Sequence, residues 1–122
     1  MENTSIPKKI MIVDDEPLFQ DLMQDIFRKS DIALTSVYSG LDAMNQPEHD
    51  LYILDIGMPG LDGISTLHAL RKKFGHNVPA ILITGYDVAG LEKKKSSYNI
   101  NAILQKPFDV DHLKKLIQQH LS

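Results

Sequence analysis

The sequence predicts an α/β fold built on a parallel β-sheet. Three observations carry this. Four short apolar runs, at residues 10–13, 51–54, 80–83 and 102–104, have the length and unbroken hydrophobicity of strands buried on both faces. Segments with helical spacing of apolar residues separate them, the alternation that produces βαβ units. Each run also leads into polar residues of a distinct kind: Asp14 and Asp15, Asp55, Thr84 and, one residue further on, Lys106. Parallel strands would bring all of these to one carboxyl edge, where open α/β sheets bind ligands.

Taken in order, residues 1–8 read as a flexible lead-in and residues 9–122 as one domain. After the first strand, Pro17 stands near the start of a helix, where its missing N–H costs little. Leu18, Phe19, Leu22, Met23, Ile26 and Phe27 then form one broad apolar stripe at helical spacing. Residues 32–38, rich in β-branched and aromatic side chains, predict a fifth strand. It is less uniformly apolar than the other four, which suits a wetter edge position. A short helix is expected over residues 41–45, and a longer one, carrying Leu67 and Leu70, over residues 64–73. Residues 88–98 make the weakest helix, with Gly90 inside, three adjacent like charges at Lys93, Lys94 and Lys95, and only Val88, Leu91 and Tyr98 as anchors. Low propensity and few apolar contacts predict low local stability, in a segment placed to sense the pocket beside Thr84. The last helix opens on Asp109 as N-cap and buries Val110, Leu113, Leu116, Ile117 and Leu121.

Composition narrows the function. A chain of 122 residues suits one domain, and 43% apolar with 24% charged residues suits a packed core under a soluble surface. A net charge of -3 lacks the broad basic field of non-specific nucleic-acid binders, so no direct nucleic-acid partner is expected. The absence of cysteine excludes disulfides and thiolate metal sites. No secretory pattern is present, and no apolar run approaches the roughly 20 residues of a membrane helix. No membrane partner and a cytoplasmic location are therefore expected. The five histidines show no zinc-motif spacing, and Arg71, Lys72 and Lys73 read as a solvated charge run. No glycine-rich phosphate loop of the dinucleotide or Walker type is present, which counts against a nucleotide enzyme.

The polar residues at the strand ends suit a metal and a phosphoryl group. Magnesium prefers oxygen ligands and keeps several waters. Asp14 and Asp15 supply one direct and one water-mediated contact, and Asp55 a further oxygen while remaining a nucleophile. Lys106 would neutralise developing charge, and the Thr84 hydroxyl would donate to a phosphoryl oxygen. Singly, each residue has a plainer reading: a turn-forming Asp14, a strand-exit Thr84, a solvated Lys106. The conjunction on four separate strands, with Asp55 closing the most apolar of them, favours the site. Three converging carboxylates also repel one another, so at least one should have a raised pKa.

Over residues 9–121 the sequence resembles a response-regulator receiver domain, the phosphoacceptor half of two-component signalling. The residues that carry this are Asp14-Asp15-Glu16-Pro17, Asp55-Ile56-Gly57-Met58-Pro59-Gly60-Leu61-Asp62-Gly63, Thr84-Gly85 and Lys106-Pro107-Phe108; the middle run is specific to that family. The resemblance implies a doubly wound (βα)5 fold with the flavodoxin-like strand order 2-1-3-4-5. It implies that Asp55 accepts a phosphoryl group from a sensor histidine kinase or histidine phosphotransfer protein. It further implies Mg2+ (or Mn2+) on Asp14, Asp15, Asp55 and the Gly57 carbonyl, phosphoryl contacts from Thr84 and Lys106, and a cis Lys106-Pro107 bond. The expected protein is a switch rather than an enzyme, monomeric or dimerising on phosphorylation, docking its kinase on the first helix and acting on an output protein. Gly57 and Tyr86 flank the pocket and would tune phosphoryl lifetime.

Two positions depart from the pattern. Ile103 stands where the family often has a Tyr or Phe that changes rotamer on activation, and an aliphatic side chain cannot make that swing. Gly85 stands where Ala is commoner, which loosens the loop without blocking the pocket. An aspartate-nucleophile phosphohydrolase is the first rival, but it needs a general acid two residues after Asp55, where this chain has Gly57. A receiver fold used only as a binding scaffold is the second; the complete set of acids, hydroxyl and amine argues against it, and Ile103 is the hint in its favour.

Overall fold

In the computed structural model, which describes residues 7–75, 77–85, 91, 93, 95 and 98–121, five strands pair in parallel. They are β1 (Lys9–Val13), β2 (Ala33–Val37), β3 (Leu51–Asp55), β4 (Ala80–Thr84) and β5 (Ala102–Gln105), side by side in the order β2-β1-β3-β4-β5. The helices assigned among the described residues are α1 (Pro17–Phe27), α2 (Gly40–Met44), α3 (Gly63–Phe74) and α4 (Val110–Leu121). Of the helix expected over residues 88–98, only Leu91, Lys93, Lys95 and Tyr98 are among the described residues; Tyr86 and most of the 1–8 lead-in lie outside them. No helix among the described residues is long and apolar enough to cross a membrane.

Alternation along the strands divides the apolar side chains between two cores. Met11, Val13, Tyr52, Leu54, Ala80 and Leu82 pack with Leu67 and Leu70 of α3. Ile10, Ile12, Leu51, Ile53, Ile81 and Ile83 pack with Met23 and Phe27 of α1 and Leu113 and Ile117 of α4. Covered on both faces, β3 and β4 are buried along their whole length. β2 is an edge strand and only its last residue, Val37, is buried, as its mixed composition predicts.

The apolar stripe of α1 is narrower than the sequence suggests. Met23 and Phe27 are buried, but Leu18 is 84% exposed and Leu22 53% exposed. A helix on one sheet face covers little more than a 100° stripe, and these two leucines lie on its flank. In the basic run on α3, Lys72 and Lys73 are exposed as expected, but Arg71 is half-buried. The Arg71 guanidinium donates to the carbonyls of Val78 (3.0 and 3.2 Å), Tyr98 (2.6 Å) and Asn99 (2.7 Å), and burial lowers its pKa. It ties α3 to the chain entering β5 instead of facing water.

Two local devices place the functional edge. Asp109 starts α4: its carboxylate accepts the Asp111 N–H at 2.9 Å and its carbonyl accepts from Leu113. Asp62 caps α3 in the same way, accepting the Ser65 N–H at 2.8 Å. The next residue must be glycine, because a Cβ on Gly63 would lie 2.5 Å from the Asp55 carbonyl oxygen. α3 therefore begins pressed against the backbone that ends β3. Gly63→Ala should destabilise the protein by about 1–3 kcal/mol through overpacking against backbone, with the denaturation midpoint falling at unchanged slope. Wild-type stability in this variant would mean that α3 does not fix the end of β3.

Candidate functional site

The sheet register builds the site. Val13 pairs with Leu54, so Asp14 and Asp55 leave adjacent strands at the same level. Asp55 pairs with Ile83, which sets Thr84 one residue further along. Thr84 in turn pairs with Gln105, and Lys106 follows. Backbone bonds extend the ladder past the strand ends, from Asp14 N–H to the Val37 carbonyl (3.0 Å) and from Lys106 N–H to the Thr84 carbonyl (2.7 Å).

The carboxylates of Asp14, Asp15 and Asp55 each place an oxygen within 4.8 Å of the others. Asp14 has no solvent exposure and Asp55 has 8%, whereas Asp15 faces outward. Asp14 accepts the Glu16 N–H at 2.9 Å and the Lys106 ammonium at 2.8 Å. Asp55 accepts the Gly57 N–H at 3.1 Å and stands 4.0 Å from the Lys106 ammonium. Lys106 completes its contacts with Glu16 at 2.7 Å and with the face of the Phe19 ring, 4.3 Å from the centroid. Thr84 is 1% exposed. Ile103 is half-buried and packs on the core beneath α3. The Lys106-Pro107 bond is cis.

The charges are unequally accommodated. Burial pushes the Asp14 carboxyl above the usual carboxylate range, and the Asp55 charge adds to this; hydrogen bonds from Lys106 and the Glu16 N–H oppose it without cancelling it. For Lys106, burial alone would lower the pKa, but hydrogen bonds to Asp14 and Glu16 and the charges of Asp14 and Asp55 leave it raised. Both partners of one ion pair thus shift upward. The asymmetry is physical: Lys106 meets only acids, whereas Asp14 is buried beside another acid. A cluster of hard oxygen donors with a charge deficit of this kind fits a divalent cation such as magnesium, and the Asp14, Asp15 and Asp55 oxygens are the donors that could hold one.

Of the predicted site residues, Asp14, Asp15, Asp55, Gly57, Thr84 and Lys106 come together at one edge, whereas Ile103 packs on the core. Sequence reasoning missed Gln20. It is fully buried, and its amide donates to the carbonyls of Ile12 (3.0 Å), Asp14 (3.1 Å) and Val37 (2.9 Å), bracing the carboxyl ends of β1 and β2. The signal was present, since Gln20 lies three residues before Met23 and seven before Phe27, a lone amide on a buried stripe. Glu16 and Phe19, both in contact with Lys106, were also missed as site residues.

Comparison with known proteins agrees with this geometry. The response regulator receiver domain family matches residues 10–118. The response regulator TrrA of Thermotoga maritima, solved in complex with Mg(2+)-BeF, is 30% identical with a TM-score of 0.81, over 93% of this chain and 99% of that one. The receiver domain of the Francisella response regulator 1452 is 28% identical with a TM-score of 0.79, over 92% of this chain and 98% of that one. A DNA-binding response regulator of the LuxR family from Staphylococcus aureus is 25% identical with a TM-score of 0.82, over 94% of this chain and 99% of that one. With the sheet order 2-1-3-4-5 and an acid cluster beside a lysine at its carboxyl edge, the chain belongs to the response regulator receiver domains of two-component signalling.

Proposed function

We propose that Asp55 accepts a phosphoryl group from the phosphohistidine of a sensor histidine kinase or phosphotransfer protein, and that the modification switches a protein-binding surface. The observation that carries this reading is the convergence of the Asp14, Asp15 and Asp55 oxygens within 4.8 Å, with the Lys106 ammonium 4.0 Å from Asp55. An Asp55 carboxylate oxygen attacks phosphorus. The phosphorus–nitrogen bond breaks, and its electron pair returns to the donor imidazole. Mg2+ (or Mn2+), held by Asp14, Asp15, Asp55 and the Gly57 carbonyl, would supply charge neutralisation at the phosphoryl oxygens. Lys106 neutralises charge from the opposite side, and the Thr84 hydroxyl donates to a phosphoryl oxygen. Gly57 brings no side-chain acid near Asp55, so turnover of a phosphomonoester is not expected.

The switch works by population shift. Thr84 leads into the chain towards residues 88–98, and its carbonyl is bonded to Lys106 N–H. A Thr84 displaced by a phosphoryl oxygen moves both. Ile103, aliphatic and already packed on the core, contributes no aromatic swing, so the response runs through Thr84. Gly57 brings no side chain to shield or orient water, Tyr86 is bulky enough to cover the acceptor, and their balance sets phosphoryl lifetime. α1, with Leu18 and Leu22 exposed, is the docking face for the donor protein, and the switch is cytoplasmic and acts through a protein output, a reading that membership of the family supports. The domain is taken to run over residues 9–122.

Incubation with acetyl phosphate and magnesium should raise the intact mass by one phosphoryl group, and Asp55→Asn or removal of the metal should abolish the gain. A gain that persists in Asp55→Asn would move the acceptor elsewhere. The acid cluster has a second consequence. Because the folded-state pKa of Asp14 is raised, its charged form opposes folding at neutral pH, and the penalty lifts as pH falls through that pKa towards the ordinary carboxylate value. Without metal, Asp55→Asn should therefore melt above wild type at pH 7, because the Asp55 charge is one of the causes that raise the Asp14 pKa. The gap should shrink as Asp14 is protonated. A variant that melts at or below wild type in EDTA would show that the acids do not oppose one another. Magnesium at about a hundred times its Kd should add roughly 3 kcal/mol to wild-type stability, measured by thermal denaturation with and without EDTA; no rise would exclude a metal on these acids.

A further inference from the structure

Lys106 is held by more than the acid cluster. Its ammonium has three N–H donors. One is taken by Asp14 at 2.8 Å and one by Glu16 at 2.7 Å, while Asp55 at 4.0 Å is beyond hydrogen-bonding distance. The lysine is thus directed towards the start of α1 and not at the acceptor. The three holding contacts differ in kind. Asp14 is fully buried, and its charge-assisted bond is the strong one. The Glu16 side chain is 62% exposed, so solvent screens its pairing with Lys106 and the bond is easily exchanged. Phe19 offers a ring face, and an edge-to-face contact with Phe108 (6.0 Å, 82°) fixes the orientation of that ring. A ring face attracts the ammonium without accepting any of the N–H bonds that a phosphoryl oxygen would need.

We propose that Glu16 and Phe19 are opposed positioning residues for Lys106: Glu16 competes with the arriving phosphoryl group for an ammonium N–H, and Phe19 keeps the ammonium at the pocket while that bond is exchanged. The proposal rests on Asp55 as the phosphoryl acceptor. Glu16 is then a brake on phosphoryl uptake and Phe19 an accelerator, although they touch the same atom. A merely structural role for either predicts no such opposition of sign.

The test has two arms. In the metal-free, donor-free protein, the Lys106 ε-methylene protons should resonate upfield of other lysines, because the Nζ they adjoin lies over the Phe19 ring, 4.3 Å from its centroid. Phe19→Leu should abolish that shift and Phe19→Tyr should retain it. In the second arm, phosphoryl uptake from acetyl phosphate is timed at saturating magnesium. Glu16→Gln should speed uptake by roughly 2- to 5-fold, the worth of a screened ion pair. Phe19→Leu should slow it by roughly 3- to 30-fold, the worth of a cation–π contact, with Phe19→Tyr close to wild type. A Lys106 resonance that Phe19→Leu leaves in place, or rate changes of the same sign in Glu16→Gln and Phe19→Leu, would overturn the proposal. A wild type that takes up no phosphoryl group overturns the acceptor reading and this proposal with it, whatever the resonances show.

Discussion

The Asp14 carboxylate has no contact with solvent, and a buried charge left unpaired costs several kcal/mol. Its ion pair with Lys106 is the constraint from which the arrangement of the sheet edge follows. The two residues are 92 positions apart in sequence and 2.8 Å apart in space. They meet because β5 and β1 run parallel in one twisted sheet, with β3 and β4 between them. Any displacement of β1 or β5 leaves a buried acid without its cation. The same pair brings the lysine to 4.0 Å from Asp55, where two acids already repel. The folded protein therefore carries a site that is held together but not neutralised.

Much of the surrounding structure limits movement at that edge. Gln20 binds three carbonyls at the ends of β1 and β2 and makes the direction in which Asp14 leaves the sheet a property of α1. Gly63 lets α3 start in contact with the Asp55 backbone, and Asp62 caps that start. Arg71 fastens α3 to the Tyr98 and Asn99 carbonyls, so the chain returning to β5 is anchored on the helix that begins beside the acceptor. The acids and the lysine are braced from three sides. Thr84 leads instead towards residues 88–98, which the sequence marks as poorly anchored.

The strands were legible because both of their faces are buried. Continuous apolar runs at 10–13, 51–54, 80–83 and 102–104 became β1, β3, β4 and β5 with each boundary within one residue. The site was legible for the same reason: a polar residue ending a fully apolar strand has few places to go but the carboxyl edge. What stayed hidden depends on distant partners or on helix rotation. Nothing beside Glu16 in the sequence points to its partner, Lys106, which the fold places 2.7 Å away. Gln20 has no sequence neighbour that needs its amide, since its partners lie on β1 and β2. Arg71 sits in a charge run, and only folding supplies the carbonyls that its guanidinium binds. Leu18 and Leu22 fit an apolar stripe by spacing, and only the docking angle of α1 leaves them at the surface.

The most direct test of a switch centred on Asp55 is the amide NMR spectrum of wild type and Asp55→Asn, recorded before and after addition of magnesium and beryllofluoride as a phosphoryl mimic. Wild type should show changes at Asp14, Asp55, Thr84 and Lys106 that extend to Leu91 and Tyr98, and Asp55→Asn should show none beyond weak metal contacts. Changes that stop at the pocket, or that appear equally in Asp55→Asn, would contradict a phosphoacceptor that reports its state through Thr84.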